Sequence, residues 1–155
     1  MSLFWGCTIP ARFPFIEKAT RLVLRDLGVE PVDVAGFTCC PETTLMKAAD
    51  EQAYYLTAAR NLALAGQQDA PLLTPCNGCY STFKSVLADL KVDWRLEQRV
   101  DRRLAAAGLS LSKDVDVRHL VEWLSEDLGP AALSKRLVKP LWGMKIAVHY
   151  GCHLL

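Results

Sequence analysis

Short apolar runs alternate along this chain with longer stretches in which apolar residues recur every three or four positions. Residues 3–5 (Leu-Phe-Trp) form one such run, ending at Gly6-Cys7. After Pro10, the spacing of Phe15, Ile16, Ala19, Leu22, Val23 and Leu27 predicts a helix that Gly28 is placed to stop. Residues 31–35 (Pro-Val-Asp-Val-Ala) read as a second strand leading to Cys39-Cys40 and Pro41. Thr43 or Thr44 is placed to cap a further helix carrying Leu45, Ala48, Ala49, Ala53, Leu56, Ala59, Leu62 and Ala63 and ending near Gly66. Residues 70–74 form a third apolar run, and Pro75-Cys76-Asn77-Gly78-Cys79 opens a helix through Phe83, Val86, Leu87 and Leu90.

Three strand-then-helix units in succession predict an α/β fold: a parallel sheet covered by helices, Rossmann-like in its connections. Ligands of such sheets gather outside the carboxyl ends of the strands. Cys7, Cys39, Cys40, Cys76 and Cys79 all fall just after predicted strands, so residues far apart in sequence are expected at one edge of one sheet.

Beyond residue 90 the pattern predicts a helix over 94–107, with Leu96, Val100 and Leu104 inward. A connector with room for a strand follows over 109–117, and then a helix over 119–128 stopped by Gly129-Pro130. Residues 144–152 (Met-Lys-Ile-Ala-Val-His-Tyr-Gly-Cys) again read as strand, glycine, cysteine. The aromatic-Gly-Cys step at 5–7 thus returns at 150–152, a separation of 145 residues. The expected organisation is a first cysteine-rich domain over 1–143 and the opening strand of a second over 144–155, within a protein about twice this size.

Composition adds boundaries. The chain has 155 residues, 51% of them hydrophobic, enough for a packed core. Eighteen basic and seventeen acidic residues leave a net charge of +1, which gives no reason to expect a nucleic acid or an anionic membrane as partner. The first residues lack the basic region and apolar stretch of a signal peptide, and no apolar run approaches membrane-spanning length, so a soluble cytoplasmic chain is expected. Thiols stay reduced in that compartment. Six cysteines there read as metal ligands or redox groups rather than as disulfides.

The spacing C-x31-CC-x35-C-x2-C narrows the chemistry. Cys76 and Cys79 lie three apart at a helix start, where backbone amides without intrahelical partners favour thiolate and can bond to cluster sulfur. Gly78 leaves room for a bulky inorganic group. The adjacent pair Cys39-Cys40 suits a single zinc ion poorly, because zinc sites prefer C-x2–4-C knuckles, whereas a multi-iron cluster can be gripped at separated irons. Five cysteines also exceed the four of a standard zinc or cubane site. A zinc-stabilised module without catalysis is the alternative of another class.

This pattern resembles the cysteine-rich (CCG) domain family found in the B subunit of heterodisulfide reductase, and is similar to domains in the iron–sulfur subunits of glycolate oxidase and anaerobic glycerol-3-phosphate dehydrogenase. The family carries the motif twice, and Gly151-Cys152-His153 looks like the opening of a second copy. The resemblance implies that Cys7, Cys39, Cys40, Cys76 and Cys79 ligate a non-cubane 4Fe–4S cluster and that Cys152 is the first ligand of a second. Zinc or an empty site is the expected alternative state of a purified fragment. It implies an oxidoreductase that takes electrons from a ferredoxin-like iron–sulfur subunit, with a flavoprotein as a further partner, and reduces a small disulfide. An electron-relay role in a glycolate oxidase or glycerol-3-phosphate dehydrogenase type of complex is the related alternative. No catalytic residue beyond the cluster ligands is implied. Pro41 stands where the family has the glycine for which the domain is named.

Other residues read as structural. His119, His149 and His153 are lone histidines, more often packing or hydrogen-bonding groups than ligands. Arg95, Arg99, Arg102 and Arg103 alternate with Glu97 and Asp101, the mark of a solvated helix face. Trp94, Trp123 and Trp142 are expected to pack, and Tyr54, Tyr55 and Tyr80 to border the site as packing residues. Lys18, Lys47 and Lys84 show no spacing that marks them as substrate ligands.

Overall fold

A computed structural model describes residues 1–140, 142–149 and 151. Four short strands, β1 (Ser2–Leu3), β2 (Val32–Asp33), β3 (Leu72–Thr74) and β4 (Val117–His119), form one sheet in the order β2-β1-β3-β4. Every pairing is parallel: Ser2 lies opposite Val32 on one side and Leu72 on the other, and Thr74 lies opposite His119. The expected parallel α/β architecture is the one observed.

Side chains alternate across the sheet and divide the core in two. Phe4, Leu72 and Val117 face a large cluster built with α4 (Glu51–Gly66), α5 (Asn77–Val92) and α6 (Trp94–Ala106). Leu3 and Leu73 face the opposite side, where Leu24 of α2 (Pro14–Asp26) and Trp123 complete a smaller cluster. On α6, Leu96, Val100 and Leu104 are buried as their spacing predicts, and the arginine-rich face is exposed. Both residues of β2 are exposed, as befits an edge strand.

Several boundaries differ from the sequence reading. The first helical stretch is two helices, α1 (Thr8–Arg12) and α2, because Pro14 cannot continue α1 and instead takes the first position of α2. The helix expected from Leu45 to Gly66 is broken into α3 (Leu45–Ala49) and α4. Asp50 is extended between them, and its carboxylate accepts the Ala53 N–H at 2.9 Å as the cap of α4. Neither Thr43 nor Thr44 caps α3. Glu42 does so, its carboxylate accepting the Thr44 and Leu45 N–H groups at 2.7 Å each.

The helix expected from residue 119 starts a residue later. His119 ends β4, α7 (Leu120–Glu122) follows, and Trp123–Leu128 widens to π-helix before α8 (Pro130–Ser134). Of the tryptophans expected to pack, Trp123 is buried, whereas Trp94 and Trp142 are exposed. Residues 144–149 pair with no strand among the described residues. Cys152 and His153 lie outside the described residues.

Candidate functional site: a cavity lined by five thiols

The three cysteine-bearing segments leave the carboxyl ends of β1, β2 and β3, and the order β2-β1-β3 makes those strands adjacent. Their loops meet in a cavity of about 160 Å³ lined by Cys7, Cys39, Cys40, Cys76 and Cys79 together with Thr8, Glu42, Thr43 and Gly78. A water molecule's share of liquid is ~30 Å³, so the space suits a group of several atoms. Cys40 and Cys79 are buried, Cys76 is half-buried, and Cys7 and Cys39 are exposed. Tyr54 and Tyr55 pack in the core cluster that includes Cys40 and Cys79, and Tyr80 packs against it, so the tyrosines act as packing residues and do not line the cavity.

Each loop is fixed by identifiable contacts. Gly6 has φ +67°, a conformation that L side chains rarely adopt, and a Cβ there would lie 2.7 Å from Cys79 Sγ. The Gly-Cys step therefore lets the β1 loop pass close over the third loop. The Cys39-Cys40 loop is held by Asn61 of α4, which is fully buried. Asn61 Oδ1 accepts the Thr38 N–H at 3.0 Å, and its Nδ2 donates to the Cys39 carbonyl at 3.1 Å. Thr82 Oγ1 donates to the Pro41 carbonyl at 3.2 Å, so Pro41 is accommodated by a partner on α5. In the third loop, the Cys76 N–H donates to Thr74 Oγ1 at 3.2 Å, and Cys76 precedes the first residue of α5.

Sequence reasoning missed Asn61. The signal was present, because Asn61 shares a buried helix face with Ala58, Leu62 and Ala65, where an amide needs a partner. His119 was noticed only as a lone histidine. It is 3% exposed, its Nδ1 accepts the Val121 N–H at 3.2 Å, and its ring meets that of Tyr80 edge-on at 5.7 Å. His149 is exposed, and its Nδ1 accepts the Gly151 N–H at 3.0 Å.

The thiols contact one another. Cys39 Sγ donates to Cys7 Sγ across 3.7 Å. Partial desolvation of its sulfur, this bond and the neighbouring sulfurs push the Cys39 thiol up to about 12. Hydrogen bonds to Cys40 and Cys76, reinforced by burial, drive Cys79 far above the ordinary thiol range, while the hydrogen bond from Cys79 holds Cys40 below it. Sulfurs this crowded cannot all ionise without positive charge among them. A bound cation would displace their protons, the donor chemistry expected of an iron–sulfur site. Among the described residues no three His, Cys, Asp or Glu side chains are grouped to hold a single metal ion. The five thiols surround a cavity, and this donor set fits an iron–sulfur group.

An all-parallel sheet whose carboxyl edge gathers five thiols round one cavity defines a Rossmann-like domain with a cysteine-lined site. Residues 1–84 match the family described as the cysteine-rich domain, CCG, and the chain belongs to that family. It is 39% identical over its whole length to the B subunit of a CoB-CoM heterodisulfide reductase of Methanosarcina acetivorans, covering 51% of that protein. It is 32% identical to a protein of Archaeoglobus profundus described as similar to the B subunit of heterodisulfide reductase, with 99% of the chain and 51% of the relative aligned. The chain thus spans about half the length of these curated relatives. A crystal structure of a hypothetical protein from Helicobacter pylori superposes with a TM-score of 0.71 at 22% identity, over 81% of this chain and 25% of that one. That likeness bears on the fold alone. Among the described residues no helix is long and apolar enough to cross a membrane.

Proposed function

We propose that the chain is part of an iron–sulfur subunit of a heterodisulfide-reductase-like oxidoreductase, in which Cys7, Cys39, Cys40, Cys76 and Cys79 hold a non-cubane 4Fe–4S cluster. The observation that supports this most directly is the convergence of all five thiols on one cavity from three loops. When bound, the cluster supplies one-electron chemistry at iron, used in the whole protein to reduce a small disulfide with electrons from a ferredoxin-like partner and, behind it, a flavoprotein. The chain's own residues build and shield the site. Cys40 and Cys79 belong to the hydrophobic core and keep water from the inner side. Cys7 and Cys39 stand at the exposed side, where a partner or substrate approaches. The backbone N–H groups of the first turn of α5 offer donors to sulfur.

Residues 144–155 are read as the opening of a second cysteine-rich domain, with Cys152 as first ligand of its cluster and the boundary at residue 143. The repeated aromatic-Gly-Cys step supports this reading. A reducing compartment such as the cytoplasm suits reduced thiols of this kind.

The test is iron, acid-labile sulfide and zinc content of protein purified without oxygen, with a visible spectrum of the same sample. About four irons and four sulfides per chain, lost in Cys39→Ser or Cys40→Ser, are expected. Stoichiometric zinc, with no iron after anaerobic reconstitution, would replace this reading with a structural zinc module.

A further inference from the structure

His119 ends the strand beside the one that leads to the Cys76-Cys79 turn, and it does not line the cavity. It is opposite Thr74 in the parallel ladder, and two residues after Thr74 the chain reaches Cys76. The ring is held on one side. Its Nδ1 accepts the Val121 N–H at 3.2 Å, and its backbone N–H donates to the Glu122 carboxylate at 3.1 Å, closing a reciprocal cap on α7. Acceptance at Nδ1 places the proton of the neutral ring on Nε2. Burial favours that neutral form.

The Nε2–H group is buried and has no hydrogen-bond partner among the described residues. A buried donor left this way is costly and calls for an explanation. The Pro75 backbone lies near enough to the imidazole to favour its protonated form. Pro75 immediately precedes Cys76. Tyr80, which immediately follows Cys79, packs its ring against the same imidazole. The residues flanking both cysteines of the C-x2-C turn therefore meet at His119.

We propose that His119 is a positioning residue for the iron–sulfur site, its Nε2–H closing on the Pro75 carbonyl to fix the turn that presents Cys76 and Cys79 when the site is filled. This rests on the cluster reading above. His119 acts through Pro75 and Tyr80 and not as a ligand. Partners that orient ligands in this manner are worth ~10–100-fold in metal affinity.

Two substitutions separate the cap from the reach toward Pro75. His119→Asn keeps an oxygen able to cap α7 but is too short to replace Nε2–H, whereas His119→Gln carries an amide N–H at about the distance of Nε2. The chain and its variants would be reconstituted with iron and sulfide without oxygen. Iron release to a chelator and the electron paramagnetic resonance spectrum would then be compared, with circular dichroism reporting the fold.

His119→Asn is expected to fold, release iron about tenfold or more faster and shift the spectrum, while His119→Gln stays close to the original chain. If His119→Asn does not fold, His119→Phe takes its place, and retention by Gln with loss by Phe supports the role. A folded Asn or Phe variant that releases iron at the original rate with an unchanged spectrum overturns it, as does a Gln variant no better than Asn or Phe. Failure of the unsubstituted chain to take up iron and sulfide overturns the cluster reading and this inference with it. An unaffected His119 variant of a loaded chain overturns this inference alone.

Discussion

The thiol of Cys39 donates to Cys7 Sγ across 3.7 Å on the exposed side of the cavity, joining the loop after β2 to the loop after β1. In the metal-free chain this contact, with partial desolvation of the sulfur as the larger cause, pushes the Cys39 thiol up to about 12. Thiolate is the nucleophile, so alkylation of Cys39 should climb about tenfold per pH unit from pH 8 to 11 rather than level off near the ordinary thiol value. Peptide mapping of iodoacetamide adducts measures this. Cys7→Ser should move the plateau to lower pH, because the Cys7 contact and charge both hold the proton on Cys39. A Cys39 plateau near pH 9 in the original chain would contradict the geometry.

Gly6 and Gly78 both stand beside the site, and the structure treats them differently. A Cβ at Gly6 would meet Cys79 Sγ at 2.7 Å in a backbone with φ +67°, whereas a Cβ at Gly78 finds only Cys76 Sγ at 4.0 Å. Cys79 is buried and has little freedom to retreat. Gly6→Ala should therefore destabilise the metal-free chain by about 2 kcal/mol or more. Gly78→Ala lies in the first turn of α5 and should leave stability unchanged or raise it by a few tenths to about 1 kcal/mol. Urea unfolding of the two variants decides the comparison. Equal losses would show that the close approach at Gly6 is not what sets its cost.

Asn61 ties α4 to the loop that carries the adjacent cysteines. Replacing it with leucine removes the acceptor of the Thr38 N–H and the donor to the Cys39 carbonyl together, leaving both loop groups without these partners. A loss of ~2–3 kcal/mol is expected, along with a lower iron content after reconstitution, because the pair Cys39-Cys40 loses its anchor. Asn61→Asp keeps an acceptor for Thr38 but sets an oxygen against the Cys39 carbonyl, and should fall between the two. If Asn61→Leu binds iron as fully as the original chain, the loop is held by something else.

The strand-to-cysteine steps were legible because each cysteine follows an apolar run, and a parallel sheet brings such steps to one edge. What escaped was set by contacts between segments. The break at Asp50 interrupts an alanine-rich periodicity that otherwise favours one long helix, although the carboxylate before Glu51 marked a helix start. The widening to π-helix at Trp123–Leu128 leaves no periodic sign in six residues. Gly6 reads in sequence as an ordinary turn glycine, and only the approach of Cys79 from 73 residues away shows why no larger residue fits. Asn61 and His119 are both polar residues at buried positions; the partners of Asn61 lie on the loop after β2, and those of His119 on α7 and α5. Polar groups at apolar spacing were thus the most informative signal left unread.

Glu122 supplies a test of the support behind the third loop. Burial alone would raise its carboxyl, but the His119 N–H and the Arg118 guanidinium, at 3.1 Å each, hold it below the ordinary range. A carboxyl whose folded pKa is depressed contributes stability that is fully present above its unfolded value, ~4.3, and is lost as the pH falls through the folded value. Glu122→Gln retains a capping oxygen for the His119 N–H but never carries the charge that pairs with Arg118. The variant should therefore be less stable than the original chain at pH 7 and 5, and the gap should narrow toward pH 3, as the unfolded chain takes up the proton that the folded carboxyl resists. Urea midpoints at the three pH values measure the gap. A gap that stays constant to pH 3 would mean that Glu122 acts there through shape alone, and that its charge does not help to hold β4 and His119 against the Cys76-Cys79 turn.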